Sequence, residues 1–177
     1  MCSNQTAFLI SSLALFFTIF SFWWMNWRRG KLEISNIRTY VAASKDGKII
    51  IELPIILFNS GARPILVENL RLNLYGHDND RYCLDFIATV NKLGTDENRA
   101  FATPFAVHGG KAIELICEFQ CKSQKFGFYE GSFELELEGL LGHKVGWRRL
   151  RKFILNISEL EAITMNTMIK AYDNKSV

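Results

Sequence analysis

A run of apolar residues from Ala7 to Trp27, uninterrupted by any charged side chain, limits what this chain can become more than any other feature. Its core reads Ala7-Phe8-Leu9-Ile10, Leu13-Ala14-Leu15-Phe16-Phe17, Ile19-Phe20 and Phe22-Trp23-Trp24-Met25. A helix rises about 1.5 Å per residue, so this segment is about 30 Å long, the thickness of bilayer hydrocarbon. A cleaved signal peptide fits less well. Its apolar region normally spans about 7–15 residues, follows a basic segment and ends at small residues. Here residues 2–6 carry no side-chain charge, and the run ends in Trp23-Trp24-Met25-Asn26-Trp27. Residues 7–27 are therefore expected to form a retained transmembrane helix behind a polar tail over 1–6.

The flanks of this helix set its orientation. Arg28, Arg29 and Lys31 follow the tryptophans directly, and lysine and arginine beside a span tend to stay cytoplasmic. The expected topology places the N-terminus outside and the remainder of the chain in the cytoplasm, anchored in the inner (cytoplasmic) membrane. Trp23, Trp24 and Trp27 fit an aromatic belt at the interface, with Arg28, Arg29 and Lys31 reaching lipid headgroups across the basic segment 28–31.

About 147 of the 177 residues remain after the anchor, enough for one domain with a core of its own. Every acidic residue lies beyond Gly30, and setting Arg28 and Arg29 aside leaves 19 basic against 18 acidic side chains. Such a balance lacks the basic excess by which nucleic-acid binders neutralise phosphates. The mean hydropathy of +0.05 mixes a strongly apolar head with an ordinary body.

That body reads as strands. Residues 31–43 form a first one, and Ser44-Lys45-Asp46-Gly47-Lys48 turns the chain, Asp-Gly supplying the positive φ of a tight hairpin. Residues 49–58 follow as a central strand, with a bulge or bend expected at Pro54, which has no N–H to donate. Asn59-Ser60-Gly61-Ala62-Arg63-Pro64 is the clearest turn. In the strand 65–75, Leu70, Leu72 and Leu74 alternate with Arg71 and Asn73, and the phase breaks near Glu68, where a bulge is expected. Residues 82–90 and 111–120 are further strands, with 101–110 irregular between them. The sharpest alternation sets Phe133, Leu135 and Leu137 against Glu134, Glu136 and Glu138. A hairpin through 142–146 then returns along 147–157. Pairing Phe133 with Leu155 and Leu135 with Phe153 puts Lys152 opposite Glu136 or Glu138, a favourable cross-strand charge pair. Ser158-Glu159-Leu160-Glu161 reads as a capping box opening a short helix over 158–172. Leu160, Ile163, Met168, Ile169 and Tyr172 would form its apolar stripe, and residues 173–177 would fray. About seven strands with turns between them and no alternating βαβ pattern predict an all-β fold. The form expected is an antiparallel immunoglobulin-like β-sandwich over 32–157.

The run from Leu53-Pro54 through Asn59-Ser60-Gly61-Ala62-Arg63-Pro64 to Glu68-Asn69-Leu70-Arg71-Leu72 resembles uncharacterised bacterial single-span membrane proteins with a β-sandwich body. Phe105-Ala106-Val107 to Cys117-Glu118-Phe119-Gln120 is similar to their later portion. The resemblance implies a bacterial membrane location and an immunoglobulin-like fold, and it carries over no catalytic residues.

No constellation of side chains points to chemistry. Cys83, Cys117 and Cys121 are an odd number, expected as free thiols, and they lack the second pair that structural zinc usually requires. His77, His108 and His143 sit beside or one residue from glycines in expected loops, His108 and His143 at one end of the sandwich and His77 at the other. There is no G-x-S-x-G, phosphate loop or G-x-G-x-x-G. Glutamates at period two project in parallel and cannot wrap calcium. The basic run Arg148-Arg149-Leu150-Arg151-Lys152 reads as a solvated face neutralised by the preceding glutamates. No enzyme, cofactor, metal, nucleic acid or small-molecule substrate is therefore expected. The expected function is protein–protein contact by a membrane-anchored β module, as an accessory subunit of a membrane complex. The turn Asn59, Ser60, Gly61, Ala62, Arg63 and Pro64, the loops after Tyr75 and Val90, and an exposed sheet edge are the candidate surfaces. The alternatives are a periplasm-facing ligand-binding or stress-related sandwich and, third, a hydrolase or metalloenzyme.

Overall fold

The computed structural model describes residues 2–76, 80–95, 98–123 and 125–174. Helix α1 (Cys2–Asn26) is followed by strands β1 (Leu32–Ile34), β2 (Thr39–Lys45), β3 (Lys48–Asn59), β4 (Ile65–Tyr75), β5 (Arg81–Val90), β6 (Ala100–Phe101), β7 (Phe105–Val107), β8 (Ala112–Lys122), β9 (Gly131–Leu141) and β10 (Trp147–Ile157). Helix α2 (Glu159–Met165) and strand β11 (Ala171–Asp173) complete the chain.

Helix α1 makes no core. All of its side chains described from Gln5 to Asn26 are exposed, and by length and composition it is long and apolar enough to cross a membrane. Two of its hydroxyls bond within the helix: Ser11 donates to the Ala7 carbonyl (2.9 Å) and Thr18 to that of Ala14 (2.8 Å). In hydrocarbon such groups have no water to turn to. The residues expected as a polar tail, from position 2, are its first turn.

The body is antiparallel β, as expected, but its strands form one continuous sheet rather than two separately bonded layers. The order is β10-β9-β4-β5-β8-β3-β2-β11, with β1 on β3, β6 on β5 and β7 on β4. The sheet curls into a half-barrel around a single apolar core that includes Tyr40, Leu53, Leu72, Phe119 and Phe133. Three bulges help it bend, at Glu68, Ile87 and Leu150, where the ladder registers shift. The first was expected from the broken alternation. At the third, Leu150 turns towards the core over Gly139, where a Cβ would lie 2.7 Å from the Leu150 Cδ1. The curl brings the free edge of β10 up to the segment after β1: Arg151 donates to the Asn36 side chain, and Asn174 Nδ2 reaches the Ile154 carbonyl (3.2 Å).

Pro54 causes no bulge, contrary to expectation. The β3–β8 register runs unbroken through it, Pro54 facing Ile116. Asn59 N–H donates towards the β8 side and the Ile56 carbonyl accepts from Ser35 on the other, so even-numbered positions of β3 point away from β8. On that side β2 ends opposite Glu52 and β1 begins opposite Leu57. Pro54 therefore sits where the strand changes partners and no donor is needed.

The other local expectations divide. Asp46 (φ 53°) and Gly47 (φ 71°) make the two-residue turn of the β2–β3 hairpin. The β9–β10 register is the one the alternation predicts, Leu135 facing Phe153, Phe133 facing Leu155 and Lys152 facing Glu136. The Lys152 ammonium leans diagonally to Glu134 (2.6 Å). Residues 101–107, expected as irregular, contribute two short strands. The capping glutamate forms its bond, Ser158 N–H donating to Glu161 Oε2 (2.8 Å). But α2 ends at Met165 rather than near Tyr172. Asn166 exchanges two hydrogen bonds with the Phe128 backbone (2.8 and 2.9 Å), pinning the helix end, and Tyr172 leaves to pair with Tyr40. Asp173 and Asn174 are consequently ordered parts of the sheet edge, while 175–177 lie outside the described residues.

Candidate functional site

The strands run from one end of the sheet to the other, and the end carrying Asn59, Ile65, Leu141 and Trp147 is the one to which helix α1 is joined. There the segment 27–31 lies against the turn 59–64, and the contact is backbone to backbone. Ser60 N–H donates to the Lys31 carbonyl (3.1 Å), Ala62 N–H to that of Arg28 (2.9 Å), and Lys31 N–H to Ser60 Oγ (3.1 Å). The approach is possible only between glycines. A Cβ on Gly30 would fall 1.9 Å from Gly61 N, and one on Gly61 would fall 2.1 Å from Gly30 N.

Asn59 holds the turn in shape. It is fully buried, and its Nδ2 donates to the carbonyls of Arg63 (2.8 Å) and Val107 (2.9 Å) while its Oδ1 accepts from Gly61 N–H (2.9 Å). Its backbone completes the knot, donating to the Lys111 carbonyl and accepting from Gly110 N–H. The candidate interaction turn is thus occupied: Ser60, Gly61 and Ala62 bind the chain's own linker, and only Arg63 and Pro64 are exposed.

The candidate membrane-interface residues take two roles. Trp23, Trp24 and Trp27 stay exposed, as do Arg29 and Lys31. Arg28 turns inward instead. Its guanidinium lies 4.6 Å from the Trp24 ring centre and donates to the Ser60 carbonyl, so it ties helix to turn.

Behind the linker runs a basic groove of about 260 Å³. Lys31, His143, Lys144, Arg148 and Arg149 line it, over an apolar floor that includes Ile65 and Leu141. A second hollow of about 180 Å³ shares Gly30, Ile65 and His143 with it and adds Arg29 and Arg63. Among the described residues no carboxylate lines either one. Burial and then the cations of Lys144 and Arg29 hold the His143 pKa below its ordinary 6.5. The expected neutralisation of the run 148–152 by the β9 glutamates is partial. It holds for Arg149, 3.6 Å from Glu136, and for Lys152, but Arg148 faces Gly139 and makes no ion pair among the described residues.

The remaining candidates do not assemble. Cys83 is exposed, Cys117 buried and Cys121 half-buried, all as free thiols. Burial pushes the Cys117 pKa up to about 12, and burial with Cys83 and Asp85 nearby pushes that of Cys121 to about 11. Neither is a thiolate near neutral pH. Among the described residues no three metal-ligating side chains come together. His108 and His143 share the anchored end in separate turns, and His77 lies outside the described residues. Glu118 is buried opposite Glu52. The loop after β5 folds over both: Arg99 pairs with Glu118, and Gly94 N–H donates to Glu52 (2.7 Å).

The stripe expected along one helix, Leu160, Ile163, Met168, Ile169 and Tyr172, is divided: Tyr172 is buried in β11, while Leu160 is 75% exposed and Ile163 58%. The core takes Ala162 and Met165 from the opposite side of α2.

No family matches the chain, and no curated protein does. Two solved structures show a distant similarity to it. A protein from Archaeoglobus fulgidus has 11% identity and a TM-score of 0.43, with 71% of this chain and 98% of that one covered. A Bordetella pertussis protein given the name ApaA has 10% identity and a TM-score of 0.38, with 73% and 95% covered.

Proposed function

We propose that the chain is a single-pass protein of a bacterial inner membrane, N-terminus outside, whose cytoplasmic β domain works by protein–protein contact as an accessory subunit of a membrane complex. In this reading the curled sheet is a variant of the immunoglobulin-like sandwich in which the β5–β8 ladder joins the two layers.

The observation that supports contact is an exposed apolar cluster on α2 and the turn that follows it. Leu160, Ile163, Met168 and Ile169 leave large apolar surface in water within ten residues, and such clusters on soluble surfaces mark interaction sites. Leu160 and Ile163 are spaced three apart on one helix face, a spacing by which a helix fits a partner's groove. β10 delivers α2 to the end of the sheet opposite the linker, about 30 Å away by strand length. The clamp at Gly30 and Gly61 would then hold that face at a set height above the bilayer.

Leu160→Glu with Ile163→Glu tests the reading. Both side chains are exposed, so stability should change by no more than about 0.5 kcal/mol. Native electrophoresis of mild-detergent membrane extracts should show the parent in a larger assembly and the double variant released from it. Identical migration of the two overturns the contact. A reporter fused after Val177 should be active only in the cytoplasm; activity confined to the other compartment overturns the orientation.

A further inference from the structure

We infer that the groove between the linker and the β9–β10 turn is a binding site for a phosphate-bearing anion, and that its source is the headgroup of an anionic phospholipid. The inference does not rest on the partner contact proposed above. Three separate pieces of chain bring cations to one hollow: the linker gives Lys31, the β9–β10 turn gives Lys144 beside the His143 imidazole, and the start of β10 gives Arg148 and Arg149. The adjoining hollow adds Arg29 and Arg63. Like charges gathered around a concavity repel one another, and among the described residues no carboxylate lines the groove, the Glu68 carboxylate lying beside it at Gly142. Among the described residues only Arg149 has a carboxylate, 3.6 Å away, and its own side chain is 68% exposed. Arg148, Lys144, Lys31, Arg29 and Arg63 have none. The body as a whole is almost neutral, so this end of the sheet is basic by placement rather than by composition.

Both the chemistry and the position favour a phosphodiester on a lipid. Guanidinium and ammonium groups converging on a hollow suit phosphate oxygens. The volume of about 260 Å³ admits a headgroup, and Ile65, Leu141 and Leu150 supply an apolar wall for the glycerol end. Gly30 and Lys31 stand four and five residues beyond the last helical residue, Asn26, so the groove opens at headgroup depth when α1 spans a bilayer. Val145, at the tip of the neighbouring turn, is 93% exposed and gives that tip an apolar residue to rest in the interface.

The test uses the full chain purified in detergent and examined by native mass spectrometry with added phosphatidylglycerol or phosphatidylcholine. The parent should retain one phosphatidylglycerol and little phosphatidylcholine. Lys31→Gln/Lys144→Gln/Arg148→Gln should weaken retention on the order of a hundredfold, three cations at the membrane surface each contributing about fivefold. Lys45→Gln/Lys48→Gln/Lys122→Gln removes the same charge from the opposite end and should retain the lipid. Circular dichroism of both variants should match the parent. Equal retention by the parent and the groove variant overturns the site, as does equal loss from both variants. Binding of inorganic phosphate or pyrophosphate in preference to phosphatidylglycerol overturns the lipid as source while supporting the phosphate site.

Discussion

Asn59 carries more of the architecture than its place in a turn suggests. A turn asparagine normally caps its own loop, but this one also reaches across to Val107 and so ties the β3–β4 turn to β7. Asn59→Ala would strand two carbonyls and the Gly61 N–H in a buried place, where each unmet group costs about 1–3 kcal/mol. With partial relaxation the loss should total about 2–4 kcal/mol, read from urea unfolding of the full chain in micelles by circular dichroism. A loss below about 0.5 kcal/mol would show the turn held by other means. Residue chemistry of this sort was half legible in the sequence. Asn-Ser-Gly-Ala-Arg-Pro announced a turn, but nothing local in it named Gly30, 31 residues earlier, as the glycine it would meet.

Between strands, the β9–β10 pair was readable and the small strands were not. Alternating Glu134, Glu136 and Glu138 against Phe133, Leu135 and Leu137 fixes both face and register, because slipping by one residue would bury the carboxylates. Strands of two or three residues, such as β6, β7 and β11, are too short to show a period, and only their partners define them. The α2 stripe misled for a related reason: a seven-residue helix has two sides within reach of the core, and the pin at Asn166 chose Ala162 and Met165. The glutamate ladder makes a pH prediction. Burial raises the Glu138 pKa, but hydrogen bonds from Arg71 and Asn73 and the charges of Arg71 and Arg81 outweigh it, leaving the pKa below the ordinary 4.5. Arg71 is itself stacked 4.2 Å from the Trp147 ring centre. A lowered carboxylate stabilises the fold above the unfolded pKa and loses that contribution as pH falls through the folded one. Glu138→Gln should therefore lower the urea midpoint at pH 7, and the gap to the parent should close as pH falls below about 4.5. A gap that stays constant down to pH 3 would contradict the ion pair's role.

Across the whole molecule, the consequence of these local devices is that helix α1 is held against the β domain. Sequence alone suggested a greasy helix tethering a separate sandwich through a basic linker. The linker is instead engaged over its length: Arg28 on Trp24 and Ser60, Gly30 against Gly61, Lys31 bonded to Ser60, and β1 paired with β3 directly afterwards. A linker bonded at Arg28 and Lys31 and pressed against the turn at Gly30 couples the orientation of α1 to the sheet, so the proposed α2 contact and the basic groove would keep fixed positions relative to the bilayer. Spin labels measure this directly. Ser12→Cys on α1 and Lys45→Cys at the far end of β2 are both exposed, and the native cysteines can be replaced by serine, or by alanine at Cys117. In liposomes, double electron–electron resonance should give one narrow distance distribution between the two labels, broadened when Gly61→Ala forces the linker from its turn. A broad distribution already present in the parent would contradict the clamp.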